Sequence, residues 1–278
     1  MGFGNGNRPG EQQEPGSRPV LWHIPFSHYN EKARWALEYK GVEHERREAM
    51  GGLHPFVSLW KTRARSYTFP LLVVNGRAIG DSTAIIAALE RRFPSPPLYP
   101  SDPVERQRAL ELEEFFDEQL APYLRRLVFH EVAHDRAALQ SFARRSAHPR
   151  LERAATARLA ALFLHARFRT RTEKAAEESR RKVVAALDRL ESDLSGREYL
   201  VGDRFTVADL TAASLFYPLV LPPEGPDPGF RIPVAVLEFR DGLGRRTGLD
   251  YVKEMFRRHR LPTSASRPAA PPVEATAI

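Results

Sequence analysis

Cysteine is absent from this sequence of 278 residues. Without a thiol the chain cannot form disulfides, thiolate metal sites or iron–sulfur clusters, and it cannot use a cysteine nucleophile. Apolar runs of about 18 residues, which predict a transmembrane helix, are absent as well. The N-terminal residues lack the apolar stretch of a secretory signal. We therefore expect a cytoplasmic protein that has no membrane partner.

The net charge is positive, because 42 lysines and arginines stand against 35 aspartates and glutamates, a difference of +7. A strongly basic surface is typical of proteins that bind nucleic acid or anionic lipid. Here the basic residues are scattered in pairs, such as Arg91-Arg92 and Arg180-Arg181, and many lie beside acidic residues. This pattern is typical of a solvated surface, so we expect a small anionic ligand and no nucleic acid.

Composition divides the chain into five segments. Residues 1–17 and 262–278 are poor in large apolar groups and rich in Gly, Pro or Ala, which predicts a disordered leader and a disordered tail. Five prolines within residues 94–103 predict a linker without regular structure. Strand and helix patterns alternate in residues 18–93, whereas residues 104–261 contain only helix patterns.

Local signals define the elements of the first half. Asn75-Gly76 predicts a hairpin turn, Gly41 ends a helix, and Asp81 caps the next helix. The predicted elements are a strand over 20–24, a helix over 31–40, an edge strand over 44–48, a short helix over 55–61, a hairpin over 69–79 and a helix that ends at 93.

Apolar periodicity defines the helices of the second half. An apolar residue at every fourth position predicts a helix with one apolar face across 104–130. A second set of spaced apolar residues predicts a helix over 183–194, and the last predicted helix covers 249–260. The apolar face of the first helix consists of Leu112, Phe116, Leu120, Leu124 and Val128. That of the second consists of Val183, Leu187, Leu190 and Leu194.

The order of these elements, together with two motifs, resembles a glutathione transferase. Segment 24–37 ends in Arg-Trp-Ala-Leu, which matches the family's first helix. Segment 199–210 closely resembles its capping box, in which Thr206 begins a helix and Asp209 bonds back to the Thr206 N–H. The resemblance covers about 20–261. It implies an α/β thioredoxin-like N-terminal domain, an all-α C-terminal domain and a homodimer, with glutathione as co-substrate.

The resemblance places Ser27 and Asn30 at the two ends of the thioredoxin C-x-x-C position. Ser27 is then the catalytic residue: its hydroxyl, at a helix N-terminus, donates a hydrogen bond to the glutathione thiolate. The alternative is that Ser27 is only a cap or turn residue. Asn30 caps the helix or donates a second bond. Tyr29 and His23 lie near the catalytic Tyr of other classes, with a place in the core as the alternative.

Two further segments match glutathione-binding motifs of the family. The resemblance implies that the Phe69–Pro70 bond is cis, so that the main chain of Phe69 pairs with the cysteinyl part of glutathione. Asp81 and Ser82 match the family's acid-Ser pair, which suits the ammonium and carboxylate of the γ-glutamyl end. The alternative is a plain Asp cap that needs no ligand.

The residue that binds the glycine carboxylate of glutathione is not evident. The family often has Asn-Pro and a Gly shortly before the cis proline, and this sequence departs from that pattern over residues 61–68. Lys61, Arg65 and His54 are candidates, and the alternative is that they are surface charges.

The electrophile cleft is expected between the two halves, next to the first long helix of the second half. Tyr123, Arg126, Leu127 and His130 are the candidate cleft residues. An arginine there, Arg125 or Arg126, would bind an anionic co-substrate unless both are surface charges.

One motif competes with this interpretation. His130, Glu131 and His134 form an H-E-x-x-H pattern, which in zinc proteases binds metal and supplies a general base, here with Glu152 as a third ligand. Because this family has no metal at that position, we expect none.

The preferred function is thiol transfer to a small hydrophobic electrophile. The alternatives are a non-catalytic binding or interaction protein of the same fold, a glutathione-dependent isomerase or dehalogenase, and a zinc hydrolase.

Overall fold

The computed structural model describes residues 18–48, 69–146 and 153–260. Both predicted disordered termini lie outside the described residues. So does the predicted short helix over 55–61.

A mixed sheet forms the centre of the N-terminal half. Its strands in the described residues are β1 (Val20–His23), β2 (Glu45–Glu48), β3 (Leu71–Val74) and β4 (Arg77–Gly80), in the spatial order β2-β1-β3-β4. β1 is parallel to β2 and antiparallel to β3, and β3 is antiparallel to β4. Asn75 (φ 49°) and Gly76 (φ 71°) form the predicted hairpin turn, since a primed turn needs two left-handed residues.

Two helices accompany the sheet within residues 18–48 and 69–93, and the described part of the second half is helical. The first two are α1 (His28–Tyr39) and α2 (Ser82–Arg92). The others are α3 (Pro103–Gln119), α4 (Ala121–His134), α5 (Arg136–Ser146), α6 (Arg153–Phe168), α7 (Glu173–Leu194), α8 (Val207–Val220), α9 (Val234–Gly242) and α10 (Thr247–His259). No helix among the described residues is long and apolar enough to cross a membrane.

The structure corrects two predicted boundaries. α1 begins at His28 instead of Glu31, because Ser27 has extended backbone angles and acts as the N-cap. The single apolar face predicted across 104–130 belongs to two helices that meet at Leu120. Pro122 accounts for the break: it has no N–H to donate to residue 118, and its ring clashes with that carbonyl, which interrupts the hydrogen-bond pattern of α3.

α8 is the central helix of the fold. Nearly all of its residues are buried, and it packs against α1, α3 and α10. The predicted capping box is confirmed: Asp209 accepts the Thr206 N–H at 2.7 Å, and Thr206 accepts the N–H of Ala208. Asp209 also accepts the Tyr251 hydroxyl, which joins the start of α8 to α10.

The proline-rich linker is fixed against both halves. Leu98 is fully buried, and its carbonyl accepts the N–H of Val207 at the start of α8. The buried ammonium group of Lys40, just after α1, donates to the carbonyls of Phe93 and Pro96 and pairs with Glu90 at 2.6 Å. One buried cation therefore holds the linker against α1 and α2.

Replacing Lys40 by methionine is expected to lower the free energy of unfolding by about 3 kcal/mol, because it leaves two carbonyls and Glu90 without their cation. Lys253, whose side chain is exposed beside Asp250, provides the control, and Lys253→Met is expected to cost under about 1 kcal/mol. Urea unfolding of both variants measures the difference. Equal losses would contradict the assigned role of Lys40.

Candidate active site

Ser27 occupies the N-terminus of α1 with its hydroxyl proton uncommitted. Asn30, which is fully buried, donates from Nδ2 to the Ser27 Oγ at 2.8 Å, and its Oδ1 accepts the Ile24 N–H at 3.1 Å. Ser27 makes no side-chain cap bond and donates to no described residue. Because its oxygen already accepts a bond, its proton is available to an outside acceptor, and the helix dipole favours an anion there.

Neither Tyr29 nor His23 is available to donate a hydrogen bond to a bound thiol. The Tyr29 hydroxyl donates to the Asp117 carbonyl at 3.0 Å, and burial raises the pKa of Tyr29. His23 is buried, with Nδ1 2.9 Å from the Arg34 guanidinium. Tyr29 contributes its ring to the site, and His23 belongs to the core.

The Phe69–Pro70 peptide bond is cis, as predicted. Asp81 is the N-cap of α2, and its Oδ1 accepts the N–H groups of Thr83 at 2.9 Å and Ala84 at 3.2 Å. The φ of Asp81 is 75°, a conformation that costs a non-glycine residue of the order of 1–3 kcal/mol and is concentrated at functional sites. Ser82 is the first residue of α2 and is buried.

A cleft of about 590 Å³ lies between the two halves and brings Tyr29, the cis proline segment and the start of α2 together; Ser27, two residues before Tyr29, is not part of its lining. The sheet half contributes Tyr29, Phe69, Pro70, Asp81, Ser82 and Thr83 to its lining, and the helical half contributes Leu110, Glu113, Glu114, Asp117, Glu118, Arg125 and Arg167. The sequence prediction missed the α3 residues of this lining. Their spacing of three and four residues would have marked one helix face.

The two walls of the cleft are joined by Lys32, whose side chain is fully buried in α1. Its ammonium group lies 2.8 Å from Glu113 and 2.6 Å from Asp117 of α3, and it donates to Thr83 of α2 at 2.9 Å. Burial alone lowers the pKa of Lys32, but the two carboxylates outweigh it and raise that pKa. Lys32 is therefore charged, and it neutralises acidic groups that line the cleft.

The cleft lining includes none of the four residues predicted for the electrophile. Arg126 pairs with Glu178 at 2.7 Å, and the Tyr123 ring lies beneath the Arg126 guanidinium on the side that faces α7. Leu127 is buried in the core, and His130 contacts the Thr170 carbonyl at 2.9 Å. The prediction assumed one continuous helix, whereas the break at Leu120 separates these residues from the face of α3 that lines the cleft.

The H-E-x-x-H residues are engaged in other contacts. His130 Nε2 lies 3.2 Å from Glu173, and Glu131 forms an ion pair with Arg180 at 2.7 Å. The described residues contain no group of three His, Asp or Glu side chains that could hold a metal ion. The proposed third ligand Glu152 lies outside the described residues. So do Lys61, Arg65 and His54, the candidates for the glycine carboxylate.

Two family models match the chain. The N-terminal domain model of glutathione S-transferases matches residues 21–97, and the C-terminal domain model of the same family matches residues 151–230. Together they match more than half of the chain. The chain belongs to the glutathione S-transferase family. Its small mixed sheet followed by helices is the thioredoxin-like plus all-α fold that the sequence predicted.

Similar proteins agree with this assignment. A probable glutathione S-transferase of Nicotiana tabacum is 24% identical over 192 residues, which is 69% of this chain and 66% of the relative. A probable maleylacetoacetate isomerase of Caenorhabditis elegans is 34% identical over 92 residues, 33% of this chain and 43% of the relative. A solved glutathione S-transferase of Methylobacterium radiotolerans, in complex with glutathione sulfonate, has a TM-score of 0.57 at 22% identity and covers 94% of this chain and 100% of its own.

Asp81→Ala is expected to lower the free energy of unfolding by about 1 kcal/mol, because the cap bonds to the first turn of α2 are lost. Asp81→Asn is the matched control: asparagine caps as well and tolerates positive φ, so we expect a change within about 0.5 kcal/mol. Thermal unfolding followed by calorimetry compares the two. An alanine variant as stable as the wild type would contradict the capping role.

Proposed function

We propose that this protein is a glutathione S-transferase in which Ser27 stabilises the thiolate of glutathione for attack on a small hydrophobic electrophile. The observation that carries the proposal is the geometry of Ser27, a hydroxyl that accepts a bond from Asn30 and leaves its proton free at the N-terminus of α1. A hydrogen bond to an ionised group contributes about 1.5–3 kcal/mol, and this favours the thiolate over the thiol.

Glutathione is held at its γ-glutamyl end by Asp81 and Ser82. The carboxylate of Asp81 pairs with the ligand's ammonium group, and Ser82 with the N-terminus of α2 binds the ligand's carboxylate, since helix N-termini favour anions. The main chain of Phe69, before the cis proline, pairs with the cysteinyl part. The support for this arrangement is that all of these residues line one cleft. Lys61 and Arg65 are proposed for the glycine carboxylate.

The reaction needs no covalent bond to the protein. The thiol loses its proton to solvent, the thiolate forms a carbon–sulfur bond with the electrophile, and the leaving group departs with its bonding electrons. Ser27 donates a hydrogen bond throughout and is not a nucleophile, because its hydroxyl is hydrogen-bonded to the Asn30 amide and to no general base among the described residues. Only the thiolate form attacks, so a lower thiol pKa raises the reactive fraction.

We further propose that the protein acts in the cytoplasm as a homodimer that detoxifies electrophiles. The support is membership of the family. Light scattering of the purified chain measures the oligomeric state, and a monomer at all concentrations would contradict the dimer.

Ser27→Ala is expected to lower kcat/KM for glutathione-dependent conjugation about 10- to 100-fold, the loss of one hydrogen bond to a charged group. The dissociation constant of glutathione is expected to change less than about threefold, because most of the ligand's contacts remain. Steady-state kinetics and calorimetric titration measure the two quantities. Ser192→Ala, at an exposed position of α7, is the control and is expected to match the wild type.

Two outcomes would contradict the proposal. Equal turnover by the wild type and Ser27→Ala would show that Ser27 does not act on the thiol. Glutathione binding without turnover of any of several electrophiles would favour a non-catalytic protein that keeps the fold to bind a ligand or a partner.

A further inference from the structure

Arg125 is a cleft arginine without an acidic partner. Among the described residues it has no ion pair and no hydrogen bond, and its Nε atom is buried without an acceptor. The next residue, Arg126, shows the usual arrangement, with Glu178 at 2.7 Å and the Ser179 hydroxyl at 2.7 Å. Adjacent residues of a helix point about 100° apart. One arginine therefore meets α7, and the other meets the cleft.

The surroundings of Arg125 disfavour its charge. Burial lowers the pKa of Arg125, and the nearby guanidinium of Arg167 lowers it further. Arg125 remains a cation because an arginine is not deprotonated in proteins. It is half-buried, and a cation that is partly withdrawn from water without a partner is destabilising. An anion in the cleft would supply the missing partner. Arg167, exposed in α6, lines the same cleft and adds a second positive charge.

The acidic residues of the cleft do not fill this role. Glu113 and Asp117 are paired with Lys32. Glu114 and Glu118 are exposed on α3, where water solvates them, and neither forms an ion pair with Arg125. The positive charge of Arg125 is therefore left for a ligand.

Aromatic rings surround the guanidinium. Its carbon lies 5.6 Å from the centre of the Tyr29 ring and 5.1 Å from the centre of the Phe168 ring. Beside Tyr29, the buried His28 has an Nε2 atom that contacts no partner in the described part of the chain. Burial and Arg125 hold the pKa of His28 at about 3, so this ring is neutral and adds no opposing charge. A flat ligand with an anionic group matches rings beside an unpaired cation.

The position of Arg125 points to the second substrate. Tyr29 follows Ser27 by two residues, and the cleft that Arg125 lines also contains Phe69, Pro70 and Ser82. Resting on the proposed function, we propose that Arg125, aided by Arg167, binds a carboxylate of the electrophile, so that the preferred hydrophobic electrophiles are aromatic compounds that carry a carboxylate.

Two product analogues test this assignment without requiring turnover. Both are S-nitrophenyl conjugates of glutathione, one with a para carboxylate and the other with a para carboxamide. Calorimetric titration is expected to show that the wild type binds the carboxylate at least about tenfold more tightly. Arg125→Met is expected to reduce this preference to within about twofold, and Arg126→Met, which changes an arginine outside the cleft lining, is expected to keep it.

The stability of Arg125→Met supplies a second readout. Because this variant removes a half-buried charge that has no partner among the described residues, its melting temperature is expected to equal or exceed that of the wild type. Equal affinity of the wild type for both conjugates, or a preference that survives in Arg125→Met, would overturn the carboxylate site. Unmodified glutathione is titrated in parallel. If it does not bind, the proposed function has failed and this inference fails with it, which is distinguishable from glutathione binding without a charge preference.

Discussion

The ion pairs of Lys32 with Glu113 and Asp117 are the contacts on which the candidate site depends. They join α1, which begins at Ser27, to α3, which forms the opposite wall of the cleft. A contact from the same ammonium group to Thr83 adds α2, which begins at the Asp81 cap. Breaking a buried ion pair costs about 3–5 kcal/mol. The distance between the two helix N-termini and the far wall is therefore fixed.

α1 carries further buried charges, and those charges are paired. Glu31 accepts from Arg34 at 2.7 Å and from Arg260 at 2.6 Å, which holds the end of α10 against α1. Lys40 fixes the linker in the same way. Against these pairs Arg125 stands out as a cation of the cleft with no partner among the described residues. Charges withdrawn from water that serve only the fold are compensated within it, so the uncompensated charge of the half-buried Arg125 indicates a ligand.

The sequence predicted the elements whose signals are local. The Asn75-Gly76 turn, the Thr206 cap and the strands depend on neighbouring residues, and the structure confirms them. The break at Leu120 was missed because the apolar spacing continues past it, although Pro122 was visible. Which face of α3 lines the cleft depends on packing against α1, and the different environments of Arg125 and Arg126 depend on the packing of α4 against α7. No pattern within one segment contains that information.

The most direct test of the central claim is the thiol pKa of bound glutathione in the wild-type protein, measured by ultraviolet difference absorbance of the thiolate against pH. A free thiol has a pKa near 8.5. A hydrogen bond from Ser27 worth about 1.5–3 kcal/mol corresponds to a fall of about one to two pH units. The account therefore predicts a pKa of about 6.5–7.5 for the bound thiol, so that roughly a quarter to three quarters of bound glutathione is thiolate at pH 7, against a few per cent of free glutathione. A bound thiol that titrates like free glutathione would contradict it.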